Sequence, residues 1–248
     1  MRLLKNIIEP KRLLIAWQKP DGASTSLSNE NLSQEYRPKG KRYIVGELVC
    51  KNNREFTLHY FLNTEDFKEA MNQGFQGYPA FDISLEYHRN VFDIFARRIP
   101  PRSRSDFDEY LKFYRISPGV EISDFALLGY SGAKLLSDGF SLIHPFENVV
   151  LPCELTIEVA GFRYGQGMDK INQEGFLGHE VTIKEEPENE FDQEAIGIFY
   201  DDIRIGYINR GQKNTFHNWL QHNTVKAVIE RINGSKLRPN VLLYVWVS

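Results

Sequence analysis

Hydrophobic and polar positions alternate with period two in many short stretches of this chain, and with helical spacing in a few others. Leu155, Ile157 and Val159 alternate with Glu154, Thr156 and Glu158, and Phe56, Leu58 and Tyr60 do the same within Glu55–Leu62. Both stretches read as strands with one buried face. Strands are also predicted at Arg12–Trp17, Tyr43–Cys50, Val181–Ile183, Ala195–Phe199, Arg204–Ile208, Val225–Glu230 and Val241–Val247. Thr64 followed by Glu65-Asp66 predicts a capped helix over Glu65–Gln73 that stops at Gly74. Ser105 is placed to cap a second helix, with Phe107, Tyr110, Leu111 and Tyr114 on one face. A short helix over Ser123–Leu128 ends at Gly129, and an amphipathic one over Lys213–His222 puts Phe216, Trp219 and Leu220 together.

Turn residues separate these elements. Asn52-Asn53 and Asp201-Asp202 read as tight hairpin turns, and residues 18–42, rich in Ser, Asn, Pro and Gly, as a long loop or arm. Ile143–Asn148 looks like a boundary, because the helical spacing before it gives way to period two after it. The expectation is an α+β chain of two domains, a mixed one at 1–148 and a small OB- or SH3-like β-barrel at 149–248.

Charge modifies this picture locally. Across 248 residues the net charge is −3, which argues against bulk binding of a polyanion. Residues 151–248 hold 10 basic and 14 acidic side chains, yet residues 195–248 hold 7 and 3. The acidity is therefore concentrated in the turn at 185–194, and any grip on nucleic acid rests on a few placed cations and aromatics. The densest basic run is Arg97, Arg98, Arg102 and Arg104, which could follow phosphates, meet an acidic protein face, or serve as solvated and ion-paired loop residues. Hydrophobic residues at 42% supply ample core, Cys50 and Cys153 match no metal spacing, and no apolar run has the length of a membrane span. A cytoplasmic protein without metal or cofactor is expected.

Catalytic patterns are weak. The six histidines show no ligand spacing, no Gly-x-Ser-x-Gly elbow occurs, and Gly129–Lys134 lacks the spacing of a phosphate loop. Asp106, Asp108 and Glu109 would serve a metal-dependent nuclease only beside a strand-borne lysine, so an enzyme is the minor reading.

Three ordered blocks point to a family. Val159-Ala-Gly-Phe-Arg-Tyr164, then Glu186-Pro-Glu-Asn-Glu-Phe-Asp192, then Ile205-Gly-Tyr-Ile-Asn-Arg210 together resemble the HIRAN domain over about 155–245. That resemblance implies a barrel that grips the 3′ end of single-stranded DNA. Tyr164 and Phe191 would sandwich the terminal base, Asp192 would accept from the sugar hydroxyl, and Arg163 and Arg210 would hold phosphates, with Tyr207 where a histidine stands in the DNA-binding animal member. Phe191 stands where tyrosine is common. The first block is expected to be the end of a strand. The same residues also suit structural roles, Asp192 as a turn cap, Tyr164 and Phe191 as rim packing, and Arg163 as a partner of the acidic turn.

Residues 12–145 show a fainter resemblance to the N-terminal subdomain of HipA-type toxin kinases. It rests on Val45-Gly-Glu-Leu48, Phe95–Arg104 and Phe125-Ala-Leu-Leu-Gly-Tyr-Ser-Gly132, with Arg98-Ile-Pro-Pro101 in place of the usual Leu-Leu-Pro-Glu turn. It implies a surface for a protein partner. The leading expectation is a non-enzymatic adaptor that reads single-stranded or recessed DNA 3′ ends in repair, restriction or phage defence. The alternative is a regulatory component of a HipA-like toxin–antitoxin system with a structural barrel.

Overall fold

The computed structural model describes residues 2–20, 41–52, 55–135, 138–235 and 238–248. Most of the expected arm at 18–42, and Asn53 of the expected hairpin turn, lie outside the described residues. Contacts group the chain into two compact units. One comprises Pro10–Pro100 with Leu127–His144; the other comprises Met1–Glu9, Pro101–Ala126 and Pro145–Ser248. This grouping differs from a single cut at 148.

The first unit is built on β1 (Arg12–Trp17), β2 (Tyr43–Lys51), β3 (Glu55–Tyr60), β4 (Tyr87–Arg89) and β5 (Phe140–Ile143). They form one antiparallel sheet in the order β4-β3-β2-β1-β5. Helix α1 (Glu65–Asn72) starts as the sequence predicts, the Thr64 hydroxyl accepting from Phe67 N at 3.3 Å, and buries Phe67 and Ala70. A five-residue helix, α2 (Phe92–Ala96), buries Phe95.

Two helix boundaries depart from expectation. Helix α3 (Phe107–Phe113) begins after Asp106 and not at a Ser105 cap, and Asp106 makes no capping bond because Arg104 holds its carboxylate at 2.6 and 2.8 Å. Helix α4 (Asp124–Ser131) begins at Ser123, whose hydroxyl accepts from Ala126 N at 2.9 Å, but it runs through Gly129. Gly129 is required for close packing, since a Cβ there would lie 2.6 Å from Leu13 Cδ2. The left-handed residue that follows the helix is Gly132, at φ 69°.

The second unit carries β6 (Cys153–Glu158), β7 (Glu180–Glu185), β8 (Ile196–Tyr200), β9 (Ile203–Tyr207), β10 (Val225–Ser235) and β11 (Arg238–Val247), with α5 (Lys213–His222) after β9. The antiparallel order is β6-β11-β10-β7-β8-β9, a curled six-strand half-barrel of OB-like kind. Asp201 and Asp202 both take positive φ, 44° and 61°, which gives the β8–β9 hairpin its two-residue turn. The sheet curls back on itself where Ala160, just past β6, bridges Tyr207 with two backbone bonds of 2.8 Å. Gly206 permits that closure, because a Cβ there would meet Ala160 O at 2.5 Å and Val159 Cγ1 at 2.4 Å.

The N-terminal segment and α3 join this unit through Glu230, the bulged residue of β10. Its side chain is only 4% exposed; it accepts from Arg2 N at 3.0 Å and pairs with Arg115 Nε at 3.1 Å. Leu4 adds a parallel bridge to Ile116.

Candidate nucleic-acid interface

The acidic turn between β7 and β8 is organised by one side chain. Asn189 Oδ1 accepts from the amides of Phe191 at 3.0 Å and Asp192 at 3.2 Å. Its Nδ2 donates to Glu186 at 2.8 Å and to the Tyr207 hydroxyl at 3.2 Å. Asn and Asp suit such turns because their short side chains can bond amides two or three residues on. The consequence is an ordered tip on which Phe191 stands 96% exposed. An aromatic ring left in water on a hydrogen-bonded turn buries nothing in its own fold and is placed to stack on something else.

Behind Phe191 lies a cleft of about 290 Å3, at the lower edge of the range usual for ligand pockets. Phe191, Asp192, Tyr207 and Arg210 all line it, so four of the six residues singled out for DNA are brought together. Its remaining wall includes Gly161, in the left-handed conformation at φ 72°, and the buried edge of β8 at Ile196.

Arg163 and Tyr164 are not among the residues lining this cleft. The expectation that they end a strand is corrected: β6 stops at Glu158, and Phe162–Tyr164 form a 3-10 turn. There Tyr164 is 45% exposed with the Arg163 guanidinium 5.6 Å from its ring centroid. The reason is the closing bridge at Ala160, which ends the pairing and lets Gly161 reverse the backbone. Tyr207 takes the place opposite Phe191 that was expected of Tyr164. Its ring is held by Arg204, whose guanidinium carbon is 5.0 Å from the centroid and whose Nη1 donates to Glu186 at 2.9 Å.

Sequence reasoning missed Lys213 as a site residue. It is the first residue of α5, only 8% exposed, and its Nζ donates to Asp192 at 3.0 and 2.9 Å and to Glu194 at 3.3 Å. A lysine directly before an amphipathic helix was a visible signal, but its partners lie across the barrel. Burial raises the Asp192 carboxyl, and this is outweighed by the Lys213 hydrogen bond and charge, the Glu194 amide and the charge of Arg210; the net direction is downward. Asp192 is therefore ionised at neutral pH. A carboxylate offers about four acceptor positions. Two bonds reach Oδ1, from Lys213 and Glu194 N, and one reaches Oδ2, so an acceptor position faces the cleft's contents.

A second, larger cavity of about 480 Å3 shares Asn189, Phe191 and Tyr207 with the first. Its other lining is acidic: Glu185, Glu186, Glu188 and Glu190, with Arg204 as the cation.

The basic run does not act as one surface. Arg97 and Arg98 belong to the first unit, Arg102 and Arg104 to the second. Arg98 is corrected from phosphate contact to core: its side chain is 4% exposed, donates to the Tyr78 hydroxyl at 2.6 Å and the Ala133 carbonyl at 2.9 Å, and pairs with Asp138. Arg102 holds Asp124 and the Ile122 carbonyl, and Arg104 holds Asp106, while Arg97 is exposed. Among the described residues no three His, Cys, Asp or Glu side chains group as a metal site, and no helix is long and apolar enough to cross a membrane. The Cys153 thiol is pushed up to about 11 by burial and by Glu154, which leaves it protonated at neutral pH.

Comparison with known proteins places the cleft. Residues 153–248 match the family model of the HIRAN domain. Two solved structures resemble the chain. The HIRAN domain of human HLTF has a TM-score of 0.31 and 18% identity, covering 38% of this chain and 74% of that one. A Lactobacillus plantarum protein has a TM-score of 0.30 and 18% identity, covering 38% of this chain and 97% of its own. No curated protein matches the chain.

Proposed function

Because residues 153–248 are a HIRAN domain, a module known for binding DNA, we propose that this chain binds the 3′ end of single-stranded or recessed DNA in the smaller cleft. The terminal base stacks on Phe191, with Tyr207 as the second wall. The free sugar hydroxyl donates to Asp192, and Arg210 meets a phosphate. The observation that carries the reading is the joint placement of an exposed ring and a pinned, ionised carboxylate in one cleft of about 290 Å3. A carboxylate repels a 3′-phosphate and accepts from a 3′-hydroxyl, so the pair selects both single-strandedness and end chemistry. The remainder of the chain would serve as an adaptor that brings a protein partner to such ends, in repair, restriction or phage defence.

The test is fluorescence anisotropy with a short single strand ending in 3′-hydroxyl or 3′-phosphate, at two salt concentrations. Phe191→Ala is expected to weaken binding by roughly 5- to 100-fold, the equivalent of about 1–3 kcal/mol of stacking. Asp192→Ala should erase the preference for the hydroxyl. Equal binding of both ends by the parent protein would sink the end-reading role, and no binding at low salt would leave the barrel as a scaffold.

A further inference from the structure

We infer that the acidic cavity beside the cleft is an electrostatic fence that makes the site take strand ends and refuse strands that continue. The inference rests on the end-reading proposed above and deepens it. The two cavities share a wall of Asn189, Phe191 and Tyr207. A strand that terminates in the smaller cleft stops at that wall. A strand that continues over it carries its next phosphate into the larger cavity, among the carboxylates of Glu185, Glu186, Glu188 and Glu190.

Two of those carboxylates are already engaged. Glu186 is bound by Arg204 at 2.9 Å and Glu185 by His217 at 2.6 Å. Glu188 and Glu190 are exposed and flank Asn189, the residue that orders the tip. Their charge contributes nothing evident to the turn's own hydrogen bonds, which run through Asn189, yet it sits next to the ring that would receive a base. Phosphate and carboxylate repel each other across a few ångströms, and this repulsion is strongest at low salt. The cleft itself carries Arg210 and Lys213 on its other side, so the potential changes sign across the shared wall.

The experiment compares one oligonucleotide sequence as a linear strand with a 3′-hydroxyl and as a covalently closed circle, bound by the full chain. The parent protein should prefer the linear form. The double substitution Glu188→Gln, Glu190→Gln changes two exposed side chains and should leave the fold intact. It is expected to raise binding of the circle by roughly three- to tenfold, while binding of the linear strand changes less than about twofold. An unchanged linear-to-circle ratio, including an equal gain for both, overturns the fence and leaves end-reading standing. A parent protein that binds both forms equally overturns the fence and the end-reading together, and one that binds neither removes the DNA-binding assignment as well.

Discussion

Lys213 grips Asp192 through both carboxylate oxygens, and this contact decides what the carboxylate can do. Unpaired, a half-buried aspartate could take a proton or swing away; paired, it keeps its charge and one orientation. The pair also contributes to stability with a defined pH dependence. The folded-state pKa of Asp192 lies below its unfolded value of about 3.9, so the contribution is fully present above that value and is lost as pH falls through the folded pKa. Lys213→Met should destabilise the protein by about 1–2 kcal/mol at pH 7, discounted because Asp192 is partly exposed. The difference from the parent should shrink at pH 3. Urea melts of both proteins at the two pH values check this, and an equal difference at both would mean that the pair contributes nothing specific.

Among the elements, the closing edge between β6 and β9 shapes the cleft more than any single strand. Strand β9 reaches the end of β6 only because Gly206 lets the backbones approach. Gly206→Ala is expected to cost about 1–3 kcal/mol and to separate the Ala160–Tyr207 bridge. Gly175→Ala, at φ 84° with nothing within 4 Å of its added Cβ, provides the comparison, since it carries backbone strain alone at about 1 kcal/mol. Hydrogen exchange at the Ala160 and Tyr207 amides should accelerate in the first variant only. Unchanged protection there would show that the closure tolerates a methyl group. The acidic turn is a second designed element: Asn189 serves the Phe191 and Asp192 amides, Glu186 and Tyr207 at once, so ring and carboxylate are positioned by the same side chain.

For the molecule as a whole, the HIRAN span of 153–248 is smaller than the folded unit that contains it. The bulge in β10 turns Glu230 toward Arg2 and Arg115, and a carboxylate only 4% exposed needs those cations. Arg115 also donates to the Glu230 carbonyl at 3.2 Å from a positive-φ backbone at 63°. Arg115→Met should therefore destabilise the unit by about 3 kcal/mol, because it leaves a buried charge short of a partner. Combining it with Glu230→Leu should restore much of the loss, since removing both charges costs far less than removing one. Chemical denaturation of the single and double variants decides the matter, and additive losses would refute the pairing.

The local elements were legible because they depend on near neighbours. Alternation gave the strands of the barrel, Thr64 gave the start of α1, and Asp201-Asp202 gave the hairpin between β8 and β9. The blocks around Phe191, Asp192, Tyr207 and Arg210 were legible for the same reason, each being a short turn or strand end with its own local order. Other features required the chain to fold. Lys213 and Asp192 meet across 21 residues, and Arg98 and Asp138 across 40. Arg98 becomes a core residue only when Tyr78 and Phe140 close over it. Tyr164 turns aside because the sheet closes at Ala160, and residues 1–9 and 101–126 join the barrel because a bulge exposes Glu230 to their arginines. Periodicity and turn chemistry report which face of an element is buried. The partners of a charge, and the edge at which a sheet closes, are decided by segments distant in sequence, and those only tertiary packing brings together.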